Sequence, residues 1–274
     1  MSRPTSAVAN DLVRTLRSAG CVFAEDEADL LLAAAHSPAE LSELTGRRVA
    51  GEPLEQVLGW AEFCGLRIAV APGVFVPRRR TAFLVECAVD LIRPRLTATS
   101  RTVLAVDLCC GTGAIGIALV AAAGRVELHA ADVDPAAVDC ARQNIGSAGT
   151  VYLGDLFEPL PAALQGRVEI LTANVPYVPT DAIALMPPEA RLYENIAALD
   201  GGSDGLSVLR RVSAAAAEWL APGGHLLVET SEQQAPSAVE IFARNGLTSD
   251  TVVSDEYGAT VVIGTRPLEG RRAE

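Results

Sequence analysis

No run of about 18 apolar residues occurs in the 274-residue chain, so the hydrophobic length needed to cross a bilayer as a helix is missing. The start, Met1 to Asn10, lacks the charged-then-apolar layout of a secretory signal, and the expected compartment is the cytoplasm. Histidine is scarce, at three residues, and the six cysteines at 21, 64, 87, 109, 110 and 140 form no Cys-x-x-Cys pair. That excludes the usual spacings of a zinc site or redox dithiol, and the thiols are read as reduced, Cys109 and Cys110 as packing. Positive charge is short: 22 Lys and Arg against 34 Asp and Glu leave a net charge of −12. This argues against a protein that grips duplex nucleic acid by its phosphates. The local exception, Arg78-Arg79-Arg80, is read as a solvated basic turn, with a contact to an RNA-containing or acidic partner as the other reading. Aromatic residues are only 4% beside 50% hydrophobic, a balance ordinary for a soluble α/β enzyme. Internal repeats and low-complexity stretches are missing too.

What is there is organised around Val103 to Gly116, which reads Val-Leu-Ala-Val-Asp-Leu-Cys-Cys-Gly-Thr-Gly-Ala-Ile-Gly. A run of apolar strand formers stops at Asp107 and passes into a turn of small residues. Apolar positions then recur at helical spacing from Ile115 to Ala122. Strand, glycine turn and helix leave free N–H groups at the helix start, and Gly111, Gly113 and Gly116 let backbone approach a ligand closely. The spacing fits Gly-x-Gly-x-x-Gly, which also serves nicotinamide dinucleotides. Two carboxylates sharpen the reading. Asp132 closes the next apolar strand, about 20 residues beyond the turn, where ribose hydroxyls can be bound. Asp107 ends the first strand, where it can orient the loop or face a cationic ligand, and where it would repel a pyrophosphate. S-adenosylmethionine, with its ammonium and sulfonium, is therefore favoured over NAD; a turn with no ligand is the remaining reading.

The length suits one ordinary domain plus a small one. Residues 1–50 are expected to form a small N-terminal helical domain, residues 51–80 a β-hairpin linker, and residues 81–274 the main domain. The helical pattern runs from 5 to 45, divided around Gly20, and a third, short helix starts at Ser37-Pro38. In the linker, Leu66 to Val70 alternate, with turn residues at Pro72-Gly73. A helix from Thr81 to Ile92 leads into Pro94 and the first strand of the main sheet. Strands and helices then alternate and end in a β-pair around Glu256-Tyr257-Gly258, which predicts an α/β, doubly wound, mostly parallel sheet with an antiparallel edge. Ligands of such sheets lie beyond the carboxyl ends of the strands. Asp107, Asp132, Asp155 and Asn174 all fall at such ends and are expected to line one crevice.

The strand at 168–173 runs into Asn174-Val175-Pro176-Tyr177. A planar amide or aromatic amine carries two N–H groups, and methylating it requires its lone pair to face the methyl donor. The Asn174 side-chain oxygen and the Val175 carbonyl can accept those protons, Pro176 holds residue 175 extended, and Tyr177 lays its ring on the planar substrate. Alignment then supplies most of the rate, on the order of 7–11 kcal/mol in good cases, without a catalytic base. A plain strand-end turn is the alternative.

At these residues the chain resembles the HemK-like N(5)-glutamine methyltransferases, whose best-known branch methylates the Gly-Gly-Gln glutamine of class I peptide release factors. The likeness spans nearly the whole chain, through Glu52-Pro53-Leu54, Phe63-Cys64-Gly65-Leu66, Pro72 to Arg78, the 107–113 turn, Asp155-Leu156-Phe157, Pro188-Glu189-Ala190-Arg191, Tyr193-Glu194 and Pro222-Gly223-Gly224. Its most specific stretch is Ala198-Leu199-Asp200-Gly201-Gly202-Ser203-Asp204-Gly205-Leu206. The resemblance implies a Rossmann-like class I methyltransferase with S-adenosyl-L-methionine as cofactor. Cys109, Cys110, Gly111, Thr112, Gly113, Asp132, Leu156 and Asn174 would contact that cofactor, and Asn174 to Tyr177 would hold the glutamine amide of a protein substrate. Three departures mark a divergent branch. Val175 replaces the first proline of Asn-Pro-Pro-Tyr. Arg78-Arg79-Arg80-Thr81-Ala82 replaces Arg-Pro-Glu-Thr-Glu, and Cys109 replaces a glycine. The substrate is then a release factor or another glutamine-bearing protein. The competing functions are a nucleobase exocyclic-amine methyltransferase acting on RNA or DNA and a non-catalytic partner subunit of the same fold.

Overall fold

The computed structural model of the chain describes residues 6–98 and 101–268. The ends of the expected 1–50 and 81–274 segments, including the start of the helical pattern at residue 5, lie outside the described residues. The amphipathic start of the chain forms three helices, α1 (Ser6–Ser18), α2 (Ala24–Ala34) and α3 (Pro38–Val49). Leu12, Leu16, Ala24, Ala28 and Leu31 pack into one small core. The Ser37 hydroxyl caps α3 by accepting from Glu40 N–H at 3.2 Å, and Pro38 occupies its first position, where no N–H is needed. A short α4 (Leu54–Leu58) follows, which periodicity over five residues is too brief to reveal. It brings Val57 onto that helical core.

A hairpin of β1 (Trp60–Phe63) and β2 (Leu66–Ala69) comes next, but its turn is Cys64-Gly65, with φ of 50° and 74°, and not Pro72-Gly73. Two positive φ values match the right-handed twist of a two-residue hairpin, and glycine supplies the second freely. Gly73 instead forms a parallel bridge with Glu194. The helix α5 (Ala82–Ala98) runs past Ile92 and through Pro94. Arg95 holds this last stretch on the core by donating to Glu169 at 3.2 Å and to the Gly223 carbonyl.

From here strands and helices alternate: β3 (Val103–Leu108), α6 (Ala114–Ala123), β4 (Val126–Asp132), α7 (Pro135–Ile145), β5 (Gly149–Leu153), β6 (Val168–Ala173), α8 (Pro188–Tyr193), α9 (Ser207–Trp219), β7 (Leu220–Thr230), α10 (Ala235–Arg244), β8 (Thr248–Ser254) and β9 (Ala259–Thr265). The seven-stranded sheet has the order β5-β4-β3-β6-β7-β9-β8. Its first five strands are parallel, and β9 runs antiparallel to both β7 and β8. The doubly wound sheet with an antiparallel edge is as the sequence predicts. β3 and β6 are buried at every position, as central strands covered on both faces must be. One apolar layer joins the sheet to α9 and α10, the other to α5, α6 and α7. The chain leaves β3 toward β4 and β5, then returns to β6 on the other side of β3, so the strand order reverses there and a crevice opens beyond their carboxyl ends.

Candidate active site

The crevice is a cavity of about 490 Å³, within the range of about 300–1,000 Å³ common for small-ligand sites. One wall is the turn after β3. Cys109, Gly111 and Gly113 there have φ of 53°, 53° and 74°. Cys110 N–H donates to the Ala131 carbonyl at 3.1 Å, fastening the turn to β4. A Cβ on Gly111 would meet no protein atom within 4 Å, so the backbone there is open to a ligand. Asp132, at the end of β4, accepts from Gly111 N–H at 2.8 Å and from Asp134 N–H at 2.9 Å. Burial raises its carboxyl above the usual range against those two hydrogen bonds. Leu156 also lines the cavity with φ of 49°, a left-handed conformation uncommon for a branched apolar residue. Beside it Asp155 pairs with Arg211 at 2.6 Å.

Cys109, Cys110, Gly111, Thr112, Asp132, Asp155, Leu156 and Asn174 all line this cavity. Asp107 and Gly113, also expected to contact the cofactor, do not. Asp107 is fully buried: Oδ2 accepts from Gly116 N–H at 3.1 Å and Oδ1 from the Thr172 hydroxyl at 2.8 Å. It therefore orients the turn by tying the start of α6 to β6, one of the two roles expected of it, and its carboxylate lies behind the cavity wall. Burial lifts its carboxyl to about 7 in spite of both hydrogen bonds. Gly113 already belongs to the helix start, where a Cβ would lie 2.9 Å from Ile145 Cδ1. Burial pushes the Cys109 and Cys110 thiols far above their ordinary value, as suits packing groups held as neutral thiols.

The opposite wall is the loop Asn174 to Tyr177, which continues β6 into the same cavity. Neither the Asn174 side chain nor the Val175 carbonyl is hydrogen-bonded by a described residue, and both residues line the cavity, so both acceptors are unused. The Tyr177 carbonyl is held by Gln234 Nε2 at 3.0 Å. The segment from Leu199 to Gly205 braces this loop. Val178 N–H donates to the Leu199 carbonyl at 3.1 Å, Gly201 N–H to the Val178 carbonyl at 2.8 Å, and Thr180 N–H to the Gly202 carbonyl at 3.0 Å. A Cβ on Gly205 would come within 2.2 Å of the Tyr177 carbonyl oxygen, so the glycine-rich stretch is there to let two backbones touch.

Arg79 is exposed, as a solvated turn requires, but Arg78 and Arg80 are not free in solvent. Arg78 donates to both oxygens of the buried Glu194, at 2.7 and 2.6 Å, and stacks 4.6 Å from the Phe75 ring. Arg80 donates to the buried Glu229 at 2.7 Å and to the Tyr177 phenol, with its guanidinium 5.8 Å from that ring. Carboxylates 116 and 149 residues away in sequence draw these side chains inward, a partnership the local charge run gives no hint of. Sequence reasoning also missed Met186, Asn195 and Ala197, which line the cavity from the segment after the acceptor loop. Asn195 joins the two walls by donating to Asp134 at 2.9 Å.

The doubly wound sheet, with its glycine turn opening onto a crevice at the point where the strand order reverses, is that of a class I methyltransferase dependent on S-adenosyl-L-methionine. Residues 65–184 match the family model described as Methyltransferase small domain. A release factor glutamine methyltransferase of Geobacter sulfurreducens is 36% identical over 236 residues, covering 84% of this chain and 80% of that one. A 4-amino-L-phenylalanine/4-methylamino-L-phenylalanine methyltransferase of Streptomyces pristinaespiralis is 31% identical over 243 residues, covering 88% and 82%. Among solved structures, a methyltransferase from Pyrococcus furiosus shares the fold with a TM-score of 0.54 at 15% identity, over 83% of this chain and 100% of that chain. The chain belongs to the release factor glutamine methyltransferase family.

Proposed function

We propose that this chain methylates the side-chain amide nitrogen of a glutamine in a protein, a peptide chain release factor. The observation that carries the reading is that one cavity joins the open turn at Gly111 to the two unused acceptors at Asn174 and Val175. The residues present fit S-adenosyl-L-methionine: the backbone of Cys109 to Thr112 would lie along it, Asp132 would take its ribose hydroxyls, and Asp155 and Leu156 would flank its base. When bound, the cofactor supplies a methyl group on a positively charged sulfur. Asn174 Oδ1 and the Val175 carbonyl accept the two amide protons, which fixes the nitrogen lone pair and increases its electron density. Pro176 keeps Val175 extended, and the Tyr177 ring covers the amide plane. Orientation is the main contribution these residues make to rate.

We divide the chain into an N-terminal helical bundle at 1–50, a hairpin linker at 51–80 and the methyltransferase domain at 81–274, working in the cytoplasm without duplex nucleic acid. No helix among the described residues is long and apolar enough to cross a membrane. The test is titration calorimetry with S-adenosyl-L-methionine followed by transfer of a labelled methyl group to a purified release factor, with Asn174→Ala as control. Equal transfer by that variant would remove the site, and label appearing in RNA instead of protein would replace the acceptor. A planar arylamine offers the same two N–H groups, so 4-amino-L-phenylalanine belongs in the assay as a competing acceptor.

A further inference from the structure

Beyond the acceptor loop lies a second cavity, of about 400 Å³, at the carboxyl end of β7 and the turn between β8 and β9. Arg80 and Tyr177 line both cavities, so one guanidinium and one phenol ring form the partition between them. The second lining carries three carboxylates, Glu229, Glu232 and Asp255, against one cation, Arg80. That cation is already engaged by Glu229 Oε1 and the Tyr177 phenol. Glu229 is 3% exposed, and its other oxygen, Oε2, is buried with no hydrogen-bond partner among the described residues. Burying a carboxylate oxygen without a donor is costly, and such groups in folded proteins generally have one. Glu232 and Asp255 are exposed at the rim of the same cavity. An ammonium or guanidinium carries donors alone and suits this lining, whereas an anion would meet three like charges.

We infer that the second cavity is a subsite for a cationic side chain, lysine or arginine, of the acceptor protein. That side chain flanks the glutamine whose amide enters the first cavity. The inference rests on the reading of the chain as a protein glutamine methyltransferase. The net charge of −12 draws basic segments toward the surface at large. The cavity selects among them by position, because Tyr177 bounds both the amide site and the carboxylates.

The test uses the full chain and a set of glutamine peptides in which one lysine is walked along the flanking positions, each matched by a norleucine peptide. At one register lysine lowers KM by about fivefold relative to norleucine with kcat unchanged, the scale of a partly exposed ion pair. The double variant Glu232→Gln, Asp255→Asn erases that advantage and leaves the norleucine peptide unaffected. No lysine advantage at any register, or an advantage that persists in the double variant, overturns the subsite. Calorimetric binding of the same peptides with asparagine in place of the glutamine repeats the comparison without turnover. If wild-type protein methylates none of the glutamine peptides, the functional reading fails, and lysine-dependent binding still decides the subsite.

Discussion

Asp132 and Glu194 hold two different parts of the crevice in place, the turn after β3 and the rim at Arg78. Asp132 accepts from Gly111 and Asp134, residues 21 and 2 positions away and contributed by the turns that follow β3 and β4. Glu194 accepts from Val76 N–H at 3.1 Å and from Arg78, residues 118 and 116 positions away. The wall at Asp132 is thus a by-product of strand register: once β3 pairs with β4 and β6, the turn has one place to go. The rim at Glu194 is assembled from distant pieces. Arg48 grips Glu27 through two nitrogens and reaches Glu189 at 2.5 Å, while Gln56 donates to the Val74 and Tyr193 carbonyls, both at 3.1 Å. All 22 basic residues of the chain are arginine, and the planar guanidinium fork is what lets one side chain hold several segments. The difference teaches that the turn at Asp132 is intrinsic to the sheet, while the segment around Val76 and Arg78 depends on how the first 80 residues dock onto Glu194.

Substitutions should therefore separate the walls. The largest effect belongs to Asn174→Ala, at the meeting point of the two: methyl transfer falls about 100-fold or more, with the circular dichroism spectrum unchanged. Next is Gly205→Ala. Its φ of 74° and a Cβ 2.2 Å from the Tyr177 carbonyl oxygen force the acceptor loop to move. Transfer drops about 30-fold while the calorimetric Kd for the cofactor stays within about twofold. A matching loss of cofactor affinity would show that the walls are one unit. Asp132→Asn runs the other way, since its amide NH₂ faces one of two N–H donors, and cofactor Kd rises about tenfold with the acceptor KM unchanged. Glu194→Gln leaves Arg78 without its charge partner, lowering urea-unfolding stability by about 2 kcal/mol and raising acceptor KM several-fold with cofactor Kd unaltered.

The same division explains what was legible in the sequence. β3, its turn, α6, α7 and β6 are encoded locally, by apolar runs, glycines and Pro135 after the Asp134 cap, so their periods can be read in place. Asn174 to Tyr177 was legible for the same reason, standing at a strand end. The brace on that loop enters the sequence reading only as the most specific stretch of the family resemblance, because Gly205 meets Tyr177 through backbone contact and not through a pattern along the chain. Arg78 and Arg80 were misread because their partners, Glu194 and Glu229, lie in other elements. Asp107 was placed correctly at its strand end, yet which way its side chain points depends on α6 and Thr172, which the run of residues does not state.

Asp107 also supplies the mildest way to probe the donor wall, by pH alone. Burial raises its folded carboxyl to about 7, whereas in the unfolded chain an aspartate titrates near 3.9. Between those values the folded state holds a proton that the unfolded state has released, so stability falls as pH rises. The contribution is fully present below about pH 4, declines up to about pH 7 and is flat above it. Asp132 and Glu194, also raised by burial, add slope of the same sign, so the informative quantity is a difference. The thermal unfolding midpoint of the wild type relative to that of Asp107→Asn, followed from pH 4.5 to 8, should fall as pH rises, with the two closest toward the acid end, where the neutral carboxyl resembles the amide. Parallel curves would mean that Asp107 is ionised throughout, and the turn would then be held by a buried charge rather than by a protonated acid bridging α6 and β6.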